Sequence, residues 1–109
     1  MLGEFEYVLI TTAAGLGENA YGVAIREEIE ASIERKCSMG ALYTTMDRLE
    51  EKGLLKTWVG EATPQRGGRG KRMVRVTAKG MRAAKEFYDA VLRVSRGASW
   101  VENRMGRTS

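Results

Sequence analysis

At 109 residues, 43% hydrophobic and 29% charged, the chain can bury one core and is too apolar, with its charges too evenly matched, to be disordered. Absence of histidine removes Ser–His and Cys–His dyads and histidine metal ligands, and acids beside bases, as Glu30 is four residues from Arg26, read as solvated helix faces; no enzyme, metal or cofactor site is expected. The net charge of +4 hides an asymmetry: residues 1–53 hold ten acids and five bases, residues 54–109 four acids and thirteen bases, which calls for an anionic partner such as nucleic acid or a membrane surface.

Leu2, Phe5, Leu9, Ala13 and Leu16 mark one face of a first helix, with Glu4 and Glu6 at its positive end and Gly15 and Gly17 as its stop. Asn19 is placed to cap a second helix, whose apolar positions are Tyr21, Ala24, Ile25, Ile29 and Ile33. A third runs from the cap Ser38 to the stop Gly53, burying Met39, Leu42, Met46 and Leu49. Its opposite face offers Gly40, Tyr43, Thr44, Asp47 and Arg48, hydroxyls and a guanidinium of the kind that meet phosphates and base edges.

After Gly53 the period changes to two. Leu55, Thr57 and Val59, then Val74 and Val76, predict two short strands. Between them Glu61 to Arg72 holds the only proline, three glycines and the bases Arg66, Arg69, Lys71 and Arg72. Taken alone this is a solvated loop. Three helices, a strand, a basic loop and a strand, however, are the order of a winged helix-turn-helix, whose loop reaches the DNA backbone or minor groove.

Thr77 is a plausible cap for a last helix expected to reach about Arg104. Ala84, Phe87, Val91, Val94, Ala98, Val101 and Met105 form a heptad seam along it, long enough to favour a second copy of the chain as partner. Tyr88 and Leu92 widen that face, and Gly97 weakens it by about 1 kcal/mol relative to alanine. The expected class is mainly α with a small β-hairpin wing: a winged helix-turn-helix over residues 1–77 and a dimerisation helix and tail over 78–109.

No apolar run nears the roughly 18 residues of a membrane span, and no basic stretch leads into a signal sequence. With a single cysteine the expected location is the cytoplasm. Cys37, beside Arg35, Lys36 and the cap Ser38, has two readings, a small half-buried residue or a redox-sensitive thiolate. Trp100 also has two: an ordinary packed or half-exposed tryptophan, or a platform for a flat hydrophobic ligand on a helix face shared with Arg93, Arg96 and Arg104. Trp58 reads as sheet surface.

The blocks Glu6-Tyr7-Val8-Leu9, Ala20-Tyr21-Gly22-Val23-Ala24-Ile25, Ser38-Met39-Gly40-Ala41-Leu42-Tyr43, Leu49-Glu50-Glu51-Lys52-Gly53-Leu54 and Arg69-Gly70-Lys71-Arg72, in this order and spacing, resemble the PadR-like transcriptional regulators. The resemblance is to the short subfamily. It implies a winged-helix homodimer held by the last helix with help from the first, and repression relieved by a small effector. It also implies DNA contacts from Ser38, Gly40, Tyr43 and Thr44 on the third helix and from Arg69, Lys71 and Arg72 on the wing, on a palindromic operator. Arg48 joins them from its position on the exposed face. The competing reading is a winged-helix module that binds protein, favoured by the acids Asp47, Glu50 and Glu51 on the third helix.

Overall fold

The computed structural model describes residues 1–60 and 70–101. Helix α1 spans Glu4–Leu16, and its second acid does more than favour the helix dipole. The Glu6 carboxylate accepts from the Gly3 N–H at 2.8 Å, supplying one of the partners that a helix start lacks, and reaches Lys52 Nζ at 3.1 Å. Gly15 remains inside the helix; Gly17, at φ 58°, ends it. A 3-10 turn over Gly17–Asn19 follows, so Asn19 does not cap the second helix as expected. Helix α2, Gly22–Ile33, starts instead from Tyr21, whose extended backbone bridges to Met73.

Helix α3, Met39–Glu51, has the expected ends. Ser38 Oγ accepts from the Ala41 N–H at 3.0 Å. At the other end Gly53, at φ 79°, lets its own N–H reach the Glu50 carbonyl and that of Leu54 reach Leu49, both at 2.9 Å. This is the double hydrogen bond of a Schellman stop, which glycine enters without a Cβ penalty. Leu54 then turns inward beside Leu49.

Strands β1, Leu55–Val59, and β2, Arg72–Val76, form an antiparallel hairpin that pairs Leu55 with Val76 and Thr57 with Val74. Helix α4, Ala78–Ser95, leaves it through Thr77. Thr77 Oγ1 accepts from the Gly80 N–H at 3.0 Å and donates to the Gly53 carbonyl at 2.7 Å, tying the new helix to the stop of α3. Gly80 passes so close to the Leu54 carbonyl oxygen that a Cβ there would overlap it.

The core lies among α1, α2, α3 and the inner hairpin face: Leu9, Ile10, Ile25, Ile29, Leu42, Met46, Leu49 and Leu55 are fully buried. Each such side chain contributes about 1.5–3 kcal/mol relative to exposure. Among the described residues, helix α4 joins this body through its N-terminal part, as far as Phe87. Ala83 and Ala84 pack on the core, and Phe87 stacks on Tyr7 of α1 with ring centroids 4.7 Å apart. The rest projects, giving the described molecule extents of 57 × 26 × 22 Å.

The expected run of α4 to about Arg104 is corrected: the helix ends at Ser95, and two turns follow, closed by the Ala98 N–H on the Ser95 carbonyl and the Val101 N–H on the Ala98 carbonyl. Ser95, Gly97 and Ser99 are poor helix formers, and among the described residues none of the buried core lies there to override them. Ala98 and Val101 therefore lie past the helix, and Met105 lies outside the described residues.

Candidate nucleic-acid interface

The exposed side of α3 begins at its cap. Ser38, Gly40, Ala41, Thr44, Asp47 and Arg48 are all exposed along it. Thr44 and Arg48, at i and i+4, share one face. Thr45 belongs to the other side: it is buried and donates to the Ala41 carbonyl at 2.9 Å.

Tyr43 is placed differently from its neighbours. It is half-buried, and its hydroxyl end covers Gly22 so closely that a Cβ there would lie 2.7 Å from the oxygen. The ring thus fixes α3 against the start of α2, and glycine is what allows the approach. The Arg72 guanidinium sits 5.5 Å over the same ring.

Arg72 is engaged by the protein itself. It donates to Asp47 Oδ1 at 2.6 Å, lies 3.4 Å from Thr57 Oγ1 and stands 3.7 Å from Glu50. Glu50 in turn accepts from the Thr57 N–H at 3.1 Å and its hydroxyl at 2.9 Å. This network ties the exposed face of α3 to both strands of the hairpin. It also neutralises Asp47, the acid that sequence alone set against a phosphate partner. Nothing local could reveal it, because Asp47 and Arg72 are 25 residues apart.

Lys71 is exposed, with Nζ 4.3 Å over the Tyr21 ring. Arg69 lies outside the described residues. Register adds a basic pair that the sequence reading did not single out: Lys56 lies opposite Arg75, both exposed on the outer hairpin face beside Trp58, which is 47% exposed. Like charges directly opposite repel across a ladder. The two-residue alternation was the available signal for them.

The thiolate reading of Cys37 is corrected. The residue is buried, and burial, followed by the Glu30 carboxylate, pushes its thiol up, away from the thiolate. Glu30 Oε2 accepts from the Cys37 N–H at 2.7 Å, which fixes the turn between α2 and α3. Trp100 is 84% exposed and stands beyond the end of α4, not on a helix face with Arg93 and Arg96. Among the described residues no group of His, Cys, Asp or Glu could hold a metal ion, and no helix is long and apolar enough to cross a membrane.

No curated protein sequence matches the chain. Solved structures match its fold. A PadR-like transcription factor from Bacteroides fragilis aligns at 22% identity and a TM-score of 0.69, over 84% of each chain. A PadR family transcriptional regulator from Eggerthella lenta aligns at 24% identity and 0.66, over 86% of this chain and 81% of its own. A winged-helix DNA-binding protein from STIV aligns at 22% identity and 0.67, over 86% and 94%. Residues 14–86, the span from the end of α1 to the first half of α4, match the transcriptional regulator PadR-like family in sequence. With the three helices, the antiparallel hairpin and the long fourth helix in place, the chain belongs to that family of winged-helix transcriptional regulators.

Proposed function

We propose that the chain is a homodimeric repressor that binds a palindromic operator through α3 and the wing and is released by a small effector. The observation that carries the reading is the exposed α3 face from Ser38 to Arg48, held at a fixed angle to a basic hairpin by Arg72. On this reading Ser38 and Gly40 bring the start of α3 to a phosphate, while Thr44 and Arg48 reach base edges. Arg69 and Lys71 supply wing charge. Tyr43 and Arg72 hold these groups in place more than they touch DNA.

Residues 1–77 form the DNA-binding unit and residues 78–109 the dimerisation helix and tail. Tyr88, Val91, Leu92 and Val94 on the distal half of α4 are half or more exposed, or nearly so, and a partner copy would cover them. Ala84 and Phe87, already packed at home, would border that seam, with Ala98 and Val101 continuing it beyond the helix; Met105, the last seam position, lies outside the described residues. A flat hydrophobic effector would stack on the open Trp100 and bias the spacing of the two winged units, which must present their recognition helices about one DNA turn apart.

The protein-interaction reading is weakened where Arg72 pairs with Asp47 and Glu50, two of the three acids behind it. The deciding experiment compares an operator fragment with random DNA over a salt series. A steep salt slope on both, with Thr44→Ala weakening the operator more than random DNA, is the expected result. Salt-insensitive binding, or equal losses on both DNAs, contradicts it.

A further inference from the structure

A groove runs between α1, α2 and the connection into α3, and no residue of α4 lines it. It has a volume of about 630 Å³, within the range of small-molecule pockets. Phe5 and Val8 of α1, Ile29 and Ile33 of α2 and Ala41 of α3 line it, while Arg35 and Lys36 stand at its edge. Ile33 is 40% exposed, a large aliphatic side chain left open to water. Arg35 and Lys36 are exposed and take part in no ion pair among the described residues. Glu4 is the one acid lining the groove, so its edge is net positive.

We infer that this groove binds a small carboxylate with an apolar body, its tail along Phe5, Val8 and Ile33 and its charge on Arg35 and Lys36. An inorganic phosphate would leave the apolar wall unused. A polar zwitterion would need an acceptor cluster that a lone Glu4 does not provide. A second copy docking through distal α4 would bring Arg93 and Arg96 toward cations of the same sign. An apolar carboxylate satisfies both the wall and the edge, and a guanidinium can hold its two oxygens together.

The position suggests a consequence that rests on the function proposed above. Arg35 and Lys36 belong to the turn that leads through Cys37 into Ser38, the cap of α3. A carboxylate there consumes two cations beside the end of α3 that approaches DNA and adds a negative charge, so ligand and phosphate oppose one another.

The test is calorimetric titration of the full chain with octanoate, with naphthoate and with uncharged octanol. Both acids are expected to bind once per chain and octanol at least about tenfold more weakly, one ion pair being of that order. The double variant Arg35→Gln, Lys36→Gln should weaken the acids about tenfold and leave octanol unchanged. Ile33→Glu, at a half-open position that does not threaten the fold, should abolish binding of the acids. Absence of binding by either acid into the millimolar range overturns the site, and this is also the result if a second copy covers the groove. Loss of binding in Trp100→Ala, or indifference to the Arg35 and Lys36 changes, overturns it too. These arms do not depend on DNA. If the acids bind as described but operator affinity stays constant at saturation, the opposition between ligand and DNA is wrong while the repressor reading stands.

Discussion

Single residues decide whether the helices meet at the right distance. Gly80 is the sharpest case, because alanine would gain about 1 kcal/mol of helix propensity yet place a Cβ against the Leu54 carbonyl and 2.9 Å from a Val76 methyl. Overpacking of this kind costs about 1–3 kcal/mol, so Gly80→Ala should lower the thermal midpoint despite the better helix former. An unchanged or raised midpoint would mean that α4 moves aside freely. Glu6 carries a different kind of signature. The Gly3 N–H, and then Lys52 and Arg48, hold its carboxyl below the ordinary 4.5 against the opposing effect of burial. A carboxyl lowered in the folded state contributes stability above its unfolded value and loses it as pH falls through the folded one. Stability against urea should thus fall as pH drops below about 4.5 more steeply in the wild type than in Glu6→Gln. Parallel curves for the two would remove Glu6 from the acid response.

At the scale of elements, what was legible in the sequence was what neighbours decide. The Ser38 cap, the Gly53 stop, the Thr77 cap and the alternation in both strands depend on residues within a few positions, and the structure has each of them. Asn19 misled because a 3-10 turn intervenes before α2. The seam of α4 misled for a subtler reason: its spacing continues through Ala98 and Val101 although the backbone stops being helical after Ser95. A periodic pattern records which residues are apolar, and the chain between them must still be able to wind. The brace of Arg72 was invisible because it joins α3 to β2 across 25 positions of sequence. Its prediction belongs to this scale. Arg72→Gln should reduce operator affinity and lower thermal stability, while the slope of log affinity against log salt stays near the wild-type value. A direct phosphate contact would flatten that slope by about one unit, as expected for Lys71→Gln. Asp47→Asn serves as the control, since it loosens the same brace from the acidic side without removing a cation.

For the molecule as a whole, the proposed dimer can be separated from the fold. Val94 is 85% exposed on α4, so Val94→Glu should leave the helical signal of a single chain intact. In a dimer seam the same carboxylate would be buried without a partner, at a cost of several kcal/mol. Sedimentation is expected to give a dimer for the wild type at micromolar concentration and a monomer for Val94→Glu. A wild-type monomer, or a variant that stays dimeric, would place the interface elsewhere. A dimer held this way should also melt at a temperature that rises with protein concentration.

Two adjacent residues of α1 give that assembly its mechanics. Tyr7 is stacked on Phe87 of α4, while Glu6, one position earlier and about 100° around the helix, grips Lys52 at the end of α3. The helix is in effect an axle with one part keyed to each side. Because a packed core yields poorly to gradual deformation, the arm that would meet the second copy and the helix that would read DNA cannot turn independently without breaking one of the two keys. A push on the far end of α4, however it arises, would on this arrangement reach α3 as a change of angle.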